Sequence, residues 1–178
     1  MFIVFSEFLE FEINLGGFVK QKIAVYAGSF DPVTYGHLDI IERSSKIFDH
    51  LVVSIFTNKN KQAMFTLDER KEMLEKTIGR KKNISIDCFD GLLVEYVKQK
   101  KINIVVRGLR AISDLEYEFQ IAGINRMLYK DIETVFFMPS VKYSHLSSSV
   151  VREIGRFNGD VSKFVPPYVA KTIRKKVS

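Results

Sequence analysis

From Lys22 onward, short β-branched and apolar runs alternate with segments whose apolar positions recur every three or four residues. Lys22 to Ala27 predicts a first strand, followed by a Gly/Pro-bearing turn from Gly28 to Pro32. A helix follows from about Gly36, with Leu38, Ile41 and Phe48 at helical spacing. Leu51 to Phe56 is nearly continuously apolar, as a strand buried on both faces would be. Past the polar stretch Thr57 to Gln62, Thr66 and Glu69 form a capping-box pattern opening a helix that ends at Ile78-Gly79. The alternation continues with a strand at Ile84–Cys88, a helix at Leu92–Lys100 and a strand at Ile102–Val106. A long helix at Ser113–Tyr129 and a fifth strand at Glu133–Met138 come next. Ser147–Phe157 predicts a helix stopped by Asn158-Gly159, and Pro166-Pro167 open a basic C-terminal helix.

Five β-rich runs separated by helices predict an α/β fold with a five-stranded parallel sheet and helices on both faces. Within the long helix, Tyr117, Ile121, Ile124 and Leu128 form one apolar stripe and Leu115, Phe119 and Ala122 another. So wide an apolar arc is covered on two sides, which hints at a subunit contact. Met127 and Met138 are assigned to the core, and His50 to a satisfied structural role. Residues 1–21 stand outside the alternation, cut off by Gly16-Gly17, although Phe11 to Leu15 alternates like an edge strand. This segment reads equally as an appendage or as an extension from an upstream start; residues 22–178 form the single domain.

Composition narrows the class. The chain has 178 residues, 46% hydrophobic and 27% charged, which suits one ordinary globular domain and excludes a disordered chain. The single cysteine, Cys88, excludes an intrachain disulfide scaffold and fits a reducing cytoplasm. No apolar run reaches the roughly 18 residues of a membrane span. Acidic residues Glu7, Glu10 and Glu12 argue against a signal peptide. With 27 Lys+Arg against 21 Asp+Glu, the net charge of +6 suggests an anionic partner without choosing one. The basic clusters at Arg80–Lys82, Lys98–Lys101 and Arg174–Lys176 fall at helix C-termini, where cations complement the macrodipole. No aromatic-interleaved basic stripe points to nucleic acid.

Chemistry concentrates in Tyr26-Ala27-Gly28-Ser29-Phe30-Asp31-Pro32-Val33-Thr34-Tyr35-Gly36-His37, after the first strand and into the first helix. That is where an open α/β sheet presents its ligand crevice. Small residues at 28 and 29 admit a phosphate to the backbone, and the helix start adds donors and positive potential. Taken alone, His37 caps or packs as readily as it binds. Ser147-Ser148-Ser149 at a later helix start is a second phosphate cradle or a plain N-cap. Lys61 in its polar loop, and Arg107 and Arg110 with Asp114 and Glu118, could be solvated or ion-paired. Two arginines after a buried strand fit an anion site better, because exposed pairs contribute only about 0–1 kcal/mol.

Together, Thr34-Tyr35-Gly36-His37 and Leu146-Ser147-Ser148-Ser149-Val150-Val151-Arg152 resemble the two signatures of the nucleotidyltransferase superfamily. The resemblance narrows to the phosphopantetheine adenylyltransferase family through Gly28 to Pro32, Lys61, Met64 to Thr66 and Glu69-Arg70. It continues through Arg107 to Ala111, Asp114, Glu116 to Glu118, and Gly159 to Val161 with Pro166. It implies a Rossmann-like nucleotidyltransferase fold and transfer of adenylyl from ATP to 4′-phosphopantetheine. Ser29 and Phe30 would contact nucleotide and acceptor, and His37 the ATP phosphates and transition state. Lys61, Leu93 and Arg107 would hold the acceptor. Gly108, Leu109, Arg110 and Glu118 would bind the nucleotide, with Tyr143, Ser144, His145, Leu146, Ser147, Ser148 and Ser149 closing over ATP. Tyr35, inside the first signature, carries no reading.

The resemblance also implies Mg2+ on the phosphates with no nameable protein ligand, possible feedback binding of coenzyme A, and a homohexamer. A phosphate monoester with its second pKa near 6 is already ionised at neutral pH, so no general base is required. Catalysis would then be positioning and electrostatic stabilisation. Three other readings remain: a cytidylyl- or nicotinamide-mononucleotide-type transferase, a non-enzymatic RNA- or metabolite-binding module, and a descendant without turnover. The run from Arg107 to Glu118 favours the pantetheine branch.

Overall fold

The computed structural model describes residues 21–57, 62–110 and 112–177. The N-terminal segment, with its edge-strand pattern at Phe11–Leu15, and Lys61 lie outside the described residues. Five strands, β1 (Ile23–Gly28), β2 (His50–Thr57), β3 (Ile84–Asp90), β4 (Ile104–Gly108) and β5 (Glu133–Phe137), form one sheet in the order β3-β2-β1-β4-β5. Every pairing is parallel. The helices are α1 (Tyr35–Ser44), α2 (Leu67–Ile78), α3 (Leu93–Lys100), α4 (Ile112–Leu128), α5 (Ser148–Arg156) and α6 (Pro167–Val177). The chain winds outward from β1 in one direction and then, after β3, crosses back to β4. The reversal opens a crevice above the C-terminal ends of β1 and β4.

Side-chain alternation along β1 divides the core in two. Ala24 and Tyr26 face a cluster with Ile40 and Ile41 of α1, Met73 and Leu74 of α2, Val151 of α5, and Val169 and Ile173 of α6. Val25 and Ala27 face the opposite cluster with Tyr96 and Val97 of α3, Ile102, Val105 and Ile132. Each fully buried aliphatic side chain contributes about 1.5–3 kcal/mol relative to exposure, so central strands apolar on both faces hold the sheet. Among the described residues, no helix is long and apolar enough to cross a membrane.

Local signals set most boundaries. Thr66 and Glu69 form the anticipated capping box, and Gly79 ends α2 at φ 68°. Asn158 takes a left-handed φ of 56° beyond α5, and the Gly159 N–H donates to Ile154 O. The fourth strand starts later than its composition suggests. Lys101 closes α3 with φ 55°, and the Ile102 N–H donates back to Val97 O at 3.0 Å, so Ile102 belongs to the helix cap. At the other end β4 runs on through Arg107 and Gly108, which pair with Phe136 and Phe137 of β5.

Two core assignments are corrected. Met127 is 89% exposed and Met138 65% exposed, because this face of α4 and the end of β5 carry no covering layer in the monomer. Tyr117, Phe119, Ile124 and Leu128 are exposed beside them. His50 opens β2, and its Nε2 lies 2.8 Å from Ser85 Oγ, a partner that fits its structural role. Cys88 is a free, half-buried thiol on β3.

Candidate active site

A cleft of about 820 Å³ lies above the C-terminal ends of β1 and β4. Its floor is Tyr26 to Gly28 of β1 with Ser29 just beyond, and Arg107 and Gly108 of β4. A Cβ on Gly108 would clash with Ile40 Cδ1, so a side chain here fits only if the end of Ile40 on α1 gives way. One wall comprises His37 and Gly36 of α1, Tyr143, Leu146, and Ser148 and Ser149 of α5; the other includes Phe56, Thr57, Gln62, Ala63 and Arg70.

Thr34 caps α1 and fixes His37. The His37 Nδ1 lies 3.1 Å from the Thr34 backbone N and 3.0 Å from its Oγ1. A backbone N–H can only donate, so Nδ1 accepts, and in the neutral ring the proton sits on Nε2. Burial pushes the imidazole down to about pKa 4, and the nearby Arg110 charge adds to that. His37 is therefore a neutral donor in the cleft wall, seated edge-on against the buried Phe30 ring at 5.1 Å.

The cationic groups of the cleft are held by carboxylates and carbonyls. Arg107 donates through Nε and Nη2 to Glu118 at 2.7 and 2.6 Å, and through Nη1 to Ala27 O at 2.9 Å. Arg110 pairs with Asp114 at 3.1 Å. Asp114 and Glu118, four residues apart, share one face of α4. The ion pairs foreseen as an alternative for these arginines thus exist, and all four side chains line the cleft. Burial also pushes the Tyr26 phenol up, against the opposing pull of Arg107 and Arg110, and keeps it protonated.

Ser29, His37, Arg107, Gly108, Arg110, Glu118, Tyr143, Leu146, Ser148 and Ser149 are brought together in the cleft wall. Phe30 lies beneath it, fully buried, with φ 46°. Leu109 is buried and donates to Phe137 O. Ser147 stands outside the wall as the N-cap of α5, accepting from the Val150 N–H at 3.2 Å. Ser144 and the exposed His145 lie in the turn before it. Leu93 opens α3 and packs against the second core cluster, away from the cleft wall.

Three wall residues carry structure that their motifs did not reveal. Asp31, 5% exposed, accepts from the Met64 and Phe65 N–H groups at 3.0 and 2.9 Å and pairs with Arg152 at 3.4 Å. Arg152 also donates to the Asp31 carbonyl and to Ser149 Oγ. Arg70, buried on α2, donates to Ser29 O at 3.0 Å. A charge at a buried helix position was the available signal for Arg70.

The profile of the cytidylyltransferase-like family matches residues 25–154. A phosphopantetheine adenylyltransferase of Geobacter sulfurreducens is 52% identical over 158 residues, covering 89% of this chain and 96% of that protein. One of Alkaliphilus metalliredigens is 50% identical over 156 residues, covering 88% and 99%. Among solved structures, a Plasmodium falciparum nicotinic acid mononucleotide adenylyltransferase complexed with NaAD superposes with a TM-score of 0.65. It shares 20% identity and covers 88% of this chain and 96% of that one, a likeness of fold.

Proposed function

This chain belongs to the cytidylyltransferase-like family, and from that premise we infer how its cleft performs adenylyl transfer. The chain transfers the adenylyl group of ATP to 4′-phosphopantetheine, giving dephospho-coenzyme A and pyrophosphate. The observation that carries this is identity of about half to phosphopantetheine adenylyltransferases over 96–99% of their length. Mass spectrometry of the products tests it: dephospho-coenzyme A forms from ATP and phosphopantetheine, and its absence would overturn the assignment.

The acceptor's terminal phosphate oxygen attacks the α-phosphorus in line, the bond to the bridging oxygen breaks, and pyrophosphate leaves. That oxygen is already ionised near neutral pH, so the chain need not remove a proton. Its task is to bring two anions together and to stabilise charge on the leaving group. The neutral His37 Nε2–H donates to phosphate oxygens, and the α5 N-terminus with Ser148 and Ser149 offers further donors. Arg107, braced by Glu118, meets the acceptor together with Lys61, whereas Leu93 lies outside the cleft lining and takes no part. Gly108 to Arg110, Glu118 and the segment Tyr143 to Ser149 form the nucleotide side. Ser29 would lie between the two, with Phe30 buried beneath the cleft.

Magnesium is the expected divalent ion. Such ions bind chiefly through phosphate oxygens and water with one or two carboxylates. Among the described residues no three His, Cys, Asp or Glu side chains gather to hold a metal, so the ion would arrive with the triphosphate, whose charge it neutralises. Coenzyme A shares the pantetheine arm and would compete for the same cleft as a feedback ligand. A cytoplasmic location suits these metabolites. The exposed apolar side chains Phe119, Ile124, Met127 and Leu128 on α4 support assembly of copies of this chain into a homohexamer.

A further inference from the structure

One face of α1 carries the connection between β5 and α5. Tyr35, Asp39 and Arg43 follow one another at intervals of four residues and so lie in a row along the helix. Arg43 donates to Met138 O. Asp39 accepts from the Ser140 hydroxyl and, at 3.2 Å, from the Ser140 N–H. Burial opposes its charge, but these bonds and Arg43 hold the Asp39 carboxyl below the usual carboxylate range. Tyr35 completes the row, its ring stacked on that of Tyr143 with centroids 6.1 Å apart and planes at 24°.

Of the three, Tyr35 is nearest the cleft. It is the first residue of α1, two before His37, and its N–H donates to Phe164 O at 3.0 Å. Its backbone is thus fixed to the C-terminal part of the chain. Tyr143 lines the cleft and Tyr35 does not, so Tyr35 braces Tyr143 from outside the wall. A Cβ on Gly36 would stand 3.7 Å from Tyr143 Cβ, showing how closely the segment passes over the helix start. Tyr143 O then accepts from the Leu146 N–H at 3.0 Å, in the turn that leads to the α5 cap at Ser147. The pose of Tyr143 is therefore linked to that of the serine turn.

We propose that Tyr35 is a positioning residue for the nucleotide: by stacking on Tyr143 it holds the segment from Tyr143 to Ser149 in the shape that receives ATP. This rests on the adenylyltransferase reading above. Tyr35 touches no reacting atom, so its loss acts chiefly by raising the KM for ATP and leaves the KM for phosphopantetheine unchanged. The rise should be about three- to tenfold, the range an aromatic pair supplies.

Steady-state kinetics on Tyr35→Ala and Tyr35→Phe, with ATP titrated calorimetrically into each, provide the test. The account expects weaker ATP binding and a higher ATP KM in Tyr35→Ala, with Tyr35→Phe close to the wild type. Tyr143→Ala should weaken ATP similarly, and the double variant should be no worse than Tyr143→Ala alone. Equal loss for both substrates, a change confined to kcat, unaltered ATP affinity, or a Phe variant as weak as the Ala variant would each overturn the proposal. If Tyr35→Ala does not fold, Tyr35→Leu carries the same expectation. A wild type that binds ATP without turning over phosphopantetheine would sink the functional reading instead, and calorimetry would still decide the role of Tyr35.

Discussion

Glu118 on α4 takes both Arg107 bonds to one carboxylate, at 2.7 and 2.6 Å, so the guanidinium plane is set before any ligand arrives. A bidentate pair is stronger and more directional than a point contact. The two residues should therefore behave as one unit although the proposed roles put them on different substrates. Arg107→Ala and Glu118→Ala should each weaken phosphopantetheine binding, and the double variant should fall short of the sum by about 0.5–3 kcal/mol. Full additivity in kcat/KM would show that the pair is not coupled.

His37 should act as a neutral donor throughout the working range. Its folded pKa of about 4 lies below its ordinary 6.5, so the inflection in kcat/KM near pH 6 should be that of the acceptor phosphate and should persist in His37→Ala. His37→Ala should lower kcat by about 2.7–4 kcal/mol of transition-state stabilisation, the worth of a comparable donor. Unchanged turnover at saturating substrates would remove the role.

The same ring makes stability depend on pH. Between pH 6.5 and about 4 the unfolded chain binds the proton and the folded chain does not. Stability is therefore full above 6.5 and declines as pH falls through that window, by up to about 3 kcal/mol at roughly 1.4 kcal/mol per pH unit. Denaturant unfolding should show His37→Gln losing less stability than the wild type between pH 7.5 and 4.5. Parallel losses would contradict the neutral ring in the cleft wall.

Asp31 satisfies two backbone N–H groups and pairs with Arg152 in a buried place. Asp31→Ala would leave those donors unpaired, at a cost of about 1–3 kcal/mol each. Thermal unfolding should fall by several degrees, on the order of 2–4 °C per kcal/mol for a chain of this size. An unshifted transition would show that the loop end at Met64-Phe65 is held by other contacts.

Gly108→Ala places a methyl against Ile40 Cδ1 and should cost about 1–3 kcal/mol by overpacking. Ile40→Val removes that Cδ1 atom, so the double variant should recover part of the loss in chemical denaturation. No recovery would place the strain elsewhere.

The architecture was legible because its signals are local: period-two burial in β1, the Thr66–Glu69 capping box, and apolar runs separated by helical patterns. The cleft was partly legible for the same reason, since the Thr34-to-His37 and Ser147-to-Ser149 segments each sit on a single helix start. What escaped was made by tertiary approach. Asp31 reaches Phe65 across 34 residues of sequence and Arg70 reaches Ser29 across 41, separations that no motif encodes. Lys101 escaped because a left-handed cap usually carries glycine. Met127 and Met138 were misplaced because an apolar side chain type does not by itself show whether its own chain covers it. Light scattering should report six copies, and a monomer at micromolar concentration would leave the α4 face without its assigned partner.

The central claim meets its most direct test in pyrophosphate release, measured with ATP or CTP in the presence and absence of 4′-phosphopantetheine. Release should require ATP and phosphopantetheine together, with CTP inactive. Release with CTP, release without the acceptor, or none in any combination would contradict adenylyl transfer to phosphopantetheine.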